Sequence, residues 1–384
     1  EVKLFLWSTV AFAIASWACG MSNSLTMLIF FRVIQGLGGA LLLPVGRLAM
    51  LKLIPRTQFL SAMSLMSLAG LIGPLIGPTL GGWLVEVATW HWVFLINIPM
   101  GLLGILVTFK AMPNVKQKEV KSFDLSGFVL LMVAMIGLSL GIEQLSSREY
   151  PQWVSISLLI AGILATIIYA YHSHMHENAL FRSTLFKNKI YAIGVLGNFF
   201  ARFGGNAVPF ILPLMLQVAF GFEPFYTGLM MIPLVLGSLF SKPIVRPIIQ
   251  RLGYRNVLLT NTILVGCCIA SFSLTTAETP EWLRAIHFFI FGTLNSIQFV
   301  SMNTLTLKDL SQQQASSGNS FLSMIMMLSM SIGVALAGTL VNMFSHYFGP
   351  QHMATTFHAT LICMGCINVV TALIFSRIPR NIPV

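Results

Sequence analysis

Two arginines stand inside apolar stretches of this sequence, and they are the residues best placed to do anything chemical. Arg32 lies in Leu28-x3-Arg32-x2-Gln35-Gly36-x-Gly38-Gly39-Ala40, and Arg202 lies in Asn198-Phe-Phe-Ala-Arg202-Phe-Gly-Gly-Asn206-Ala-Val-Pro209, with Gln217 beyond. A guanidinium keeps its charge and presents donors in a fixed fork, so it can hold an anionic or polar group but cannot by itself make or break bonds. Among apolar neighbours it costs about 2.5–3.5 kcal/mol to insert in a bilayer, so it should face a polar interior or a partner. Gln35 and Gly36 follow Arg32 at helical spacing, and Gly36, Gly39 and Ala40 offer a small face for close helix contact. Asn198, Asn206 and Gln217 surround Arg202 with further donors and acceptors, a candidate solute pathway, and Pro209 with Pro213 is expected to break up this long segment.

Motifs for bond chemistry are missing. There is no Gly-x-Ser-x-Gly elbow, His-Glu-x-x-His helix or phosphate loop. His172, His174 and His176 fall in a polar loop and read as a solvated turn, not a metal site. Cys363 and Cys366 sit inside an apolar stretch, without the soluble scaffold of a redox dithiol. No strand precedes Gly36-x-Gly38, which removes a dinucleotide reading. Glu143 stands near the end of its apolar stretch and reads as meeting headgroups or water. No catalytic residue, metal or cofactor is expected.

The elements that hold the arginines follow from composition. The chain has 384 residues, 56% hydrophobic and only 9% charged. Soluble domains run at about a quarter charged. Five scattered cysteines exclude a disulfide scaffold, and 29 Phe with 21 Met exclude disorder. An integral membrane protein remains. Spanning helices need about 20 mostly apolar residues. Twelve such stretches occur: 4–20, 25–47, 59–85, 92–112, 125–144, 152–171, 190–219, 225–241, 256–276, 282–306, 316–344 and 354–376. Their lack of alternation argues for helices over transmembrane strands. Leu310 to Ser376 contains no Asp, Glu, Lys or Arg, and His346 to His352, with Gly349-Pro350, is the turn that divides it.

The basic residues test that count. With Lys3 on the cytoplasmic side and sides alternating, 18 Lys and Arg fall on that side, and only Arg148 and Arg284 on the other. Such a split is what the positive-inside rule demands, and one span too many or too few would scramble it. The net charge of +11 is therefore mainly a topology signal, and no compact basic domain exists to bind nucleic acid. The C-terminus is expected in the cytoplasm.

Polar linkers at 113–124 and 172–189 divide the spans into four, two and six. The expected organisation is 1–112, the remainder of an N-terminal bundle; 113–189, two central helices with their linkers; and 190–384, a six-helix bundle. Arg251-Leu-Gly-Tyr-Arg255 follows the second span of the six-span half, and Glu1-Val2-Lys3 likewise precedes four spans. If the halves are parallel repeats, the first lacks two helices. The expectation is an N-terminal truncation of a fourteen-span parent, one that would not transport by itself. The third stretch reads Gly73-Pro74-Leu-Ile-Gly77-Pro78-Thr-Leu-Gly81-Gly82, so glycines every four residues bare one helix face while the prolines bend it.

These segments resemble the major facilitator drug/proton antiporters. The Arg32 segment is similar to the family's fourth-helix signature. Gly73, Gly77, Pro78, Gly81 and Gly82 resemble its fifth-helix antiporter signature, with Ser64 at the looser upstream glycine. Trp90 to Gly101, with Asn97 and Pro99, resembles a marker of the fourteen-helix branch. Arg251, Gly253 and Arg255 resemble a remnant of the cytoplasmic loop signature. The likeness covers essentially the whole chain. It implies an all-α polytopic membrane protein of the major facilitator fold, with 12 of 14 transmembrane helices present as helices 3–6, two extra central helices and a closing bundle. It also implies secondary active export of small molecules (multidrug efflux) across the bacterial inner membrane by proton antiport and alternating access. Arg32, Gln35 and Gly36 would take part in proton coupling, and Gly73 to Gly82 would form the antiporter interface. The partners would be a small-molecule substrate, protons and the lipid bilayer, and the protein would be a monomer and not an enzyme. An exporter of small organic anions is the alternative, drawn from two intramembrane arginines against one marginal carboxylate. A membrane enzyme or sensor is remote, because the longest loop has roughly eighteen residues.

Overall fold

The computed structural model describes residues 2–53, 77, 80–84, 86–111, 123–147, 151–176 and 178–379. Its elements are helices, and no strand occurs among the described residues. The chain separates into two compact units, residues 1–120 and 121–384.

In the first unit, α1 (Val2–Gly20) and α2 (Leu25–Leu53) form a hairpin. A short α3 (Trp92–Leu95) leads into α4 (Asn97–Ala111), which lies against α1. The α1–α2 approach is set by Gly38, where a Cβ would stand 2.9 Å from the backbone nitrogen of Phe12 and 3.1 Å from the carbonyl oxygen of Ser8. Gly39 meets the Phe12 ring. The small face expected at Gly36, Gly39 and Ala40 is therefore centred on Gly38 and Gly39, because Gly36 has no described atom within 4 Å of its Cβ position.

The second unit contains α5 (Leu125–Ser147) and α6 (Gln152–Met175), a 3-10 turn at Ser183–Lys187, and then α7 (Lys189–Leu214). After α7 come α8 (Pro224–Met230), α9 (Ile232–Phe240), α10 (Lys242–Ser271), α11 (Glu281–Lys308), α12 (Gln312–Phe348) and α13 (Met353–Phe375). Ten helices among the described residues are long and apolar enough to cross a membrane, and Pro224–Phe240 is a shorter apolar segment. Eleven of the twelve expected stretches are thus helical where described, while 59–85 lies mostly outside the described residues. Gly349, at φ 86°, turns the chain between α12 and α13 where the charge-free run was expected to divide. The buried core gathers Ile211, Leu212, Ile269, Phe272, Phe291 and Leu361 between α7, α10, α11 and α13. Large apolar side chains also cover the outside, such as Phe240, Leu264, Ile286 and Leu373, as lipid-facing helices require.

Two local readings change. Pro209 and Pro213 do not break α7, which runs through both to Leu214 and then relaxes into a π-helical turn at Met215–Ala219. Each proline removes a backbone donor, and the hydrogen-bond ladder slips to i+5 downstream. The segment carrying Arg251, Gly253 and Arg255 is helical on both sides of a break, not a loop, with Gly253 at φ 75° between the two pieces of α10. Only glycine takes that conformation without penalty.

Close backbone approach recurs in this unit. A Cβ at Gly292 on α11 would collide with the Leu234 carbonyl of α9, and one at Gly237 would collide with that of Phe289. On the α5–α6 hairpin, a Cβ at Gly137 would come within 2.8 Å of the Gly162 backbone. Small residues at facing positions are how helices associate where water supplies no hydrophobic drive.

The start of α5 is tied down by Asp124. Its Oδ1 accepts from the backbone N–H of Gly127 at 2.9 Å and from Ser126 Oγ at 3.1 Å, and its Oδ2 accepts from the N–H of Leu180 at 3.2 Å. His172 Nε2 stands 3.0 Å from Oδ1. His172 therefore belongs to a buried contact in the last turn of α6, not to a solvated turn. Burial pushes the Asp124 carboxyl up, but the N–H groups of Gly127 and Leu180, with His172 and Ser126, outweigh it and hold it below its ordinary value of 3.8.

Gly292→Ala should destabilise the protein by about 1–3 kcal/mol through overpacking against α9. Gly104→Ala, whose Cβ would lie 3.9 Å from Thr9, should change stability little; thermal unfolding in detergent compares the two. A carboxylate depressed in the folded state stabilises above its unfolded pKa, and that contribution is lost as pH falls through the folded value. Stability should therefore drop below about pH 4 in the native protein, and Asp124→Asn should flatten that part of a pH-dependent unfolding series.

Candidate functional site

Arg202 is 6% exposed and lies on the face of α7 that meets α11. One turn earlier on the same helix, Asn198 Oδ1 accepts from both Nε and Nη2 of Arg202 at 3.2 Å. Asn303 Oδ1 on α11 accepts from Nη2 at 3.4 Å, and the guanidinium carbon stands 4.4 Å from the centre of the Phe299 ring. Asn198, fully buried, is itself anchored: its Nδ2 donates to the Gly194 carbonyl at 3.0 Å and to Thr306 Oγ1 at 3.2 Å. Gly194 makes this possible, since any Cβ there would strike Thr306. A permanent cation is thus fixed between two helices by amide oxygens and an aromatic face, interactions that strengthen as water is removed.

Of the residues expected with Arg202, Asn198 joins it directly. Asn206 lies one turn further along α7 and is half-buried. Gln217 falls in the π-helical turn, about 22 Å along the axis from Arg202, and so does not share its cluster. Asn303, Phe299 and Thr306 escaped the sequence reading. Their signal was positional: with Gln298 and Met302 they recur at three- and four-residue spacing along one side of α11.

A second polar layer lies nearby in the same unit. Asn261 Nδ2 donates to Gln298 Oε1 at 2.8 Å, Gln298 Nε2 to Thr262 Oγ1 at 2.6 Å, and Asn368 Nδ2 to the Thr262 carbonyl at 3.0 Å. These bonds join α10, α11 and α13 inside apolar surroundings. Arg284, in the first turn of α11, is 3% exposed, donating to the Thr279 carbonyl at 2.5 Å with its guanidinium carbon 4.9 Å from the centre of the Phe222 ring.

In the first unit Arg32 has the polar partner that a charge among apolar residues calls for. Arg32 is exposed on its unit, and Gln35 is the buried member at 3%. Arg32 Nη1 donates to Gln35 Oε1 at 2.9 Å, Gln35 Nε2 donates to Ser16 Oγ on α1 at 2.5 Å, and Phe94 lies 5.4 Å from the guanidinium carbon. The result is a relay from a charged tip to a fully buried hydroxyl. Gly73 and Pro78 lie outside the described residues, while Gly77 is exposed and Gly81 and Gly82 are half-buried. In α10, Arg251 is exposed, Arg255 is half-buried, and the intervening Tyr254 is buried with Lys308 Nζ 5.3 Å from its ring.

Many apolar spans, bridged at their contacts by amides and guanidinium groups, define a multi-pass membrane transport protein. The profile of the Major Facilitator Superfamily matches residues 1–334 and again residues 194–383, and the chain belongs to that superfamily. It is 45% identical to the "Putative multidrug resistance protein MdtD" of Salmonella dublin, over 99% of this chain and 81% of the relative. The protein of the same name in Yersinia enterocolitica is 43% identical over 99% and 83%. Among solved structures, the fold is similar to a D-xylose-proton symporter, with a TM-score of 0.65 at 13% identity over 99% of this chain and 81% of that one. A POT family transporter in complex with 5-aminolevulinic acid matches with a TM-score of 0.67 at 15% identity, over 97% and 80%. The chain is a transporter and not an enzyme.

Truncating Asn198 leaves a buried guanidinium short of its main acceptor. Asn198→Ala should therefore cost about 1–3 kcal/mol. In a double-mutant cycle scored by thermal unfolding, Asn198→Ala with Arg202→Ala should cost clearly less than the sum of the two single changes.

Proposed function

We propose that this chain is the transport body of a multidrug exporter that moves small molecules outward across the bacterial inner membrane by proton antiport. The observation that carries the reading is the identity of 43–45% to the two relatives described above, spanning 99% of the chain. In this reading residues 1–112 belong to one bundle, 113–189 carry two extra central helices, and 190–384 form the second bundle. The protein works as a monomer in the lipid bilayer, with its C-terminus in the cytoplasm, as the 18-to-2 distribution of basic residues favours.

The residues take distinct roles. Arg32 acts in coupling through the field of its guanidinium, steadied by Gln35 and Ser16. Gly36 leaves room beside it. Gly73, Gly77, Pro78, Gly81 and Gly82 provide the bare helix face along which the antiporter interface slides. Arg202 and Asn198 give the pathway a fixed polar wall, with Asn206 and Gln217 further along it. Arg251, Gly253 and Arg255 form the cytoplasmic hinge between the two pieces of α10. A second reading, export of small organic anions, is favoured by the buried positive charge of Arg202, which suits a carboxylate better than a cation.

Inverted membrane vesicles containing the protein separate the readings. Uptake of a lipophilic cationic drug should build up when the membrane is energised and collapse on addition of a protonophore. Arg32→Ala should lower that uptake at least about tenfold, with Arg32→Lys recovering part of it. Uptake that persists without a proton gradient would remove antiport. Anion flux that Arg202→Ala abolishes, with no drug flux, would replace the first reading by the second.

A further inference from the structure

The second unit contains a half-open cavity of about 400 Å³ bounded by α5, α6, the turn at Ser183–Lys187 and α12. That volume lies in the range of small-molecule sites, about 300–1,000 Å³. Its walls are apolar for most of their length: Leu131, Ala134 and Leu138 come from α5, and Phe321 and Leu328 from α12. Leu131 to Leu138 covers about 10 Å of helix, so the cavity descends well into a hydrocarbon layer of about 30 Å.

Polar groups gather at one end. There Ser173 and His174 of α6 and Ser183 line the cavity and offer hydrogen-bonding groups to an occupant. Arg182 lies between the lining residues Phe181 and Ser183, and Lys187 follows the lining residue Phe186; both cations are exposed. The linker 172–189 carries Arg182, Lys187 and Lys189 against a single acid, Glu177. The nearby Asp124 is already engaged by His172, Gly127 and Leu180.

An occupant that matches these walls is apolar over about 10 Å and anionic, with hydrogen-bond acceptors, at one tip. We propose that the cavity is a binding site for an anionic phospholipid, with an acyl chain between α5, α6 and α12. Its phosphate meets Arg182 and Lys187, and Ser173, His174 and Ser183 donate to its oxygens. The depth agrees, because basic residues flanking a span lie at the level of lipid headgroups, where they attract anionic lipid. The bound chain closes the contact of α5, and of the linker after α6, with α12, where Ser139 hydrogen-bonds with Ser331 and Ser317 donates to the Leu180 carbonyl. Nothing in this depends on which solute is transported.

Native mass spectrometry of the delipidated protein, titrated with phosphatidylglycerol or phosphatidylcholine, tests the site. One phosphatidylglycerol should be retained at least about tenfold more strongly than phosphatidylcholine, and Arg182→Gln with Lys187→Gln should erase most of that preference. Ala134→Phe, which fills the cavity, should abolish retention of either lipid. Phosphatidylglycerol with a diazirine on its acyl chain should label peptides holding Met135 or Met324, both of which line the cavity. Equal retention of the two lipids would overturn the proposal, as would retention unchanged in both variants. Labelling spread evenly over lipid-facing helices would do the same. Displacement of the lipid by a lipophilic cation that labels the same peptides would make the cavity a solute site instead. The charge variant alters exposed residues only, so it remains informative if Ala134→Phe fails to fold.

Discussion

Inside hydrocarbon no water is available to satisfy a polar group left without a partner, and the rest of this structure is arranged around that cost. The Arg202 guanidinium survives between α7 and α11 because Asn198 and Asn303 accept from it and Phe299 covers it. Asn198 is held in turn by Gly194 and Thr306. Each link is useful only if the next is in place, so a charge that would be costly alone becomes a means of fixing the register of two helices. The layer of Asn261, Gln298, Thr262 and Asn368 does the same for α10, α11 and α13.

Glycine supplies the proximity these bonds need. Side-chain amides reach only about 3 Å to a partner, and helices with full-sized side chains at the contact stand 8–10 Å apart. Gly194 lets Thr306 close on Asn198, Gly292 and Gly237 bring α9 onto α11, and Gly38 brings α1 onto α2 beside the Arg32–Gln35–Ser16 relay. In both units, small residues and polar bridges are therefore two halves of one device. Such contacts also hold helices together without large interlocking side chains, which suits a protein whose elements must shift against one another.

Much of this was legible in the sequence. Composition and the length of apolar runs excluded a soluble fold, and the helices follow those runs wherever they are described. The turn at Gly349 was readable because a charge-free run too long for one span had a single Gly-Pro interruption. The break at Gly253 was not, because apolarity stops where a helix leaves hydrocarbon while the helix itself continues. His172 misled for a related reason. A polar residue beyond a span looks solvated unless its partner is known, and Asp124 lies 48 residues away.

The sequence alone determined what kind of solvent surrounds this protein, where its apolar helices run among the described residues and which family it belongs to, because these depend on composition, run length and motif order. Tertiary structure decided which polar groups find one another. Arg32 could be picked out by its type, but that it reaches the buried Gln35 and through it Ser16 depends on how α1 and α2 cross. Asn303 and Phe299 lie about a hundred residues from Arg202, and only the packing of α7 against α11 makes them its neighbours. Hydrophobic periodicity says which face of a helix is turned inward; it carries no information on the partner's register, which steric fit between two surfaces settles.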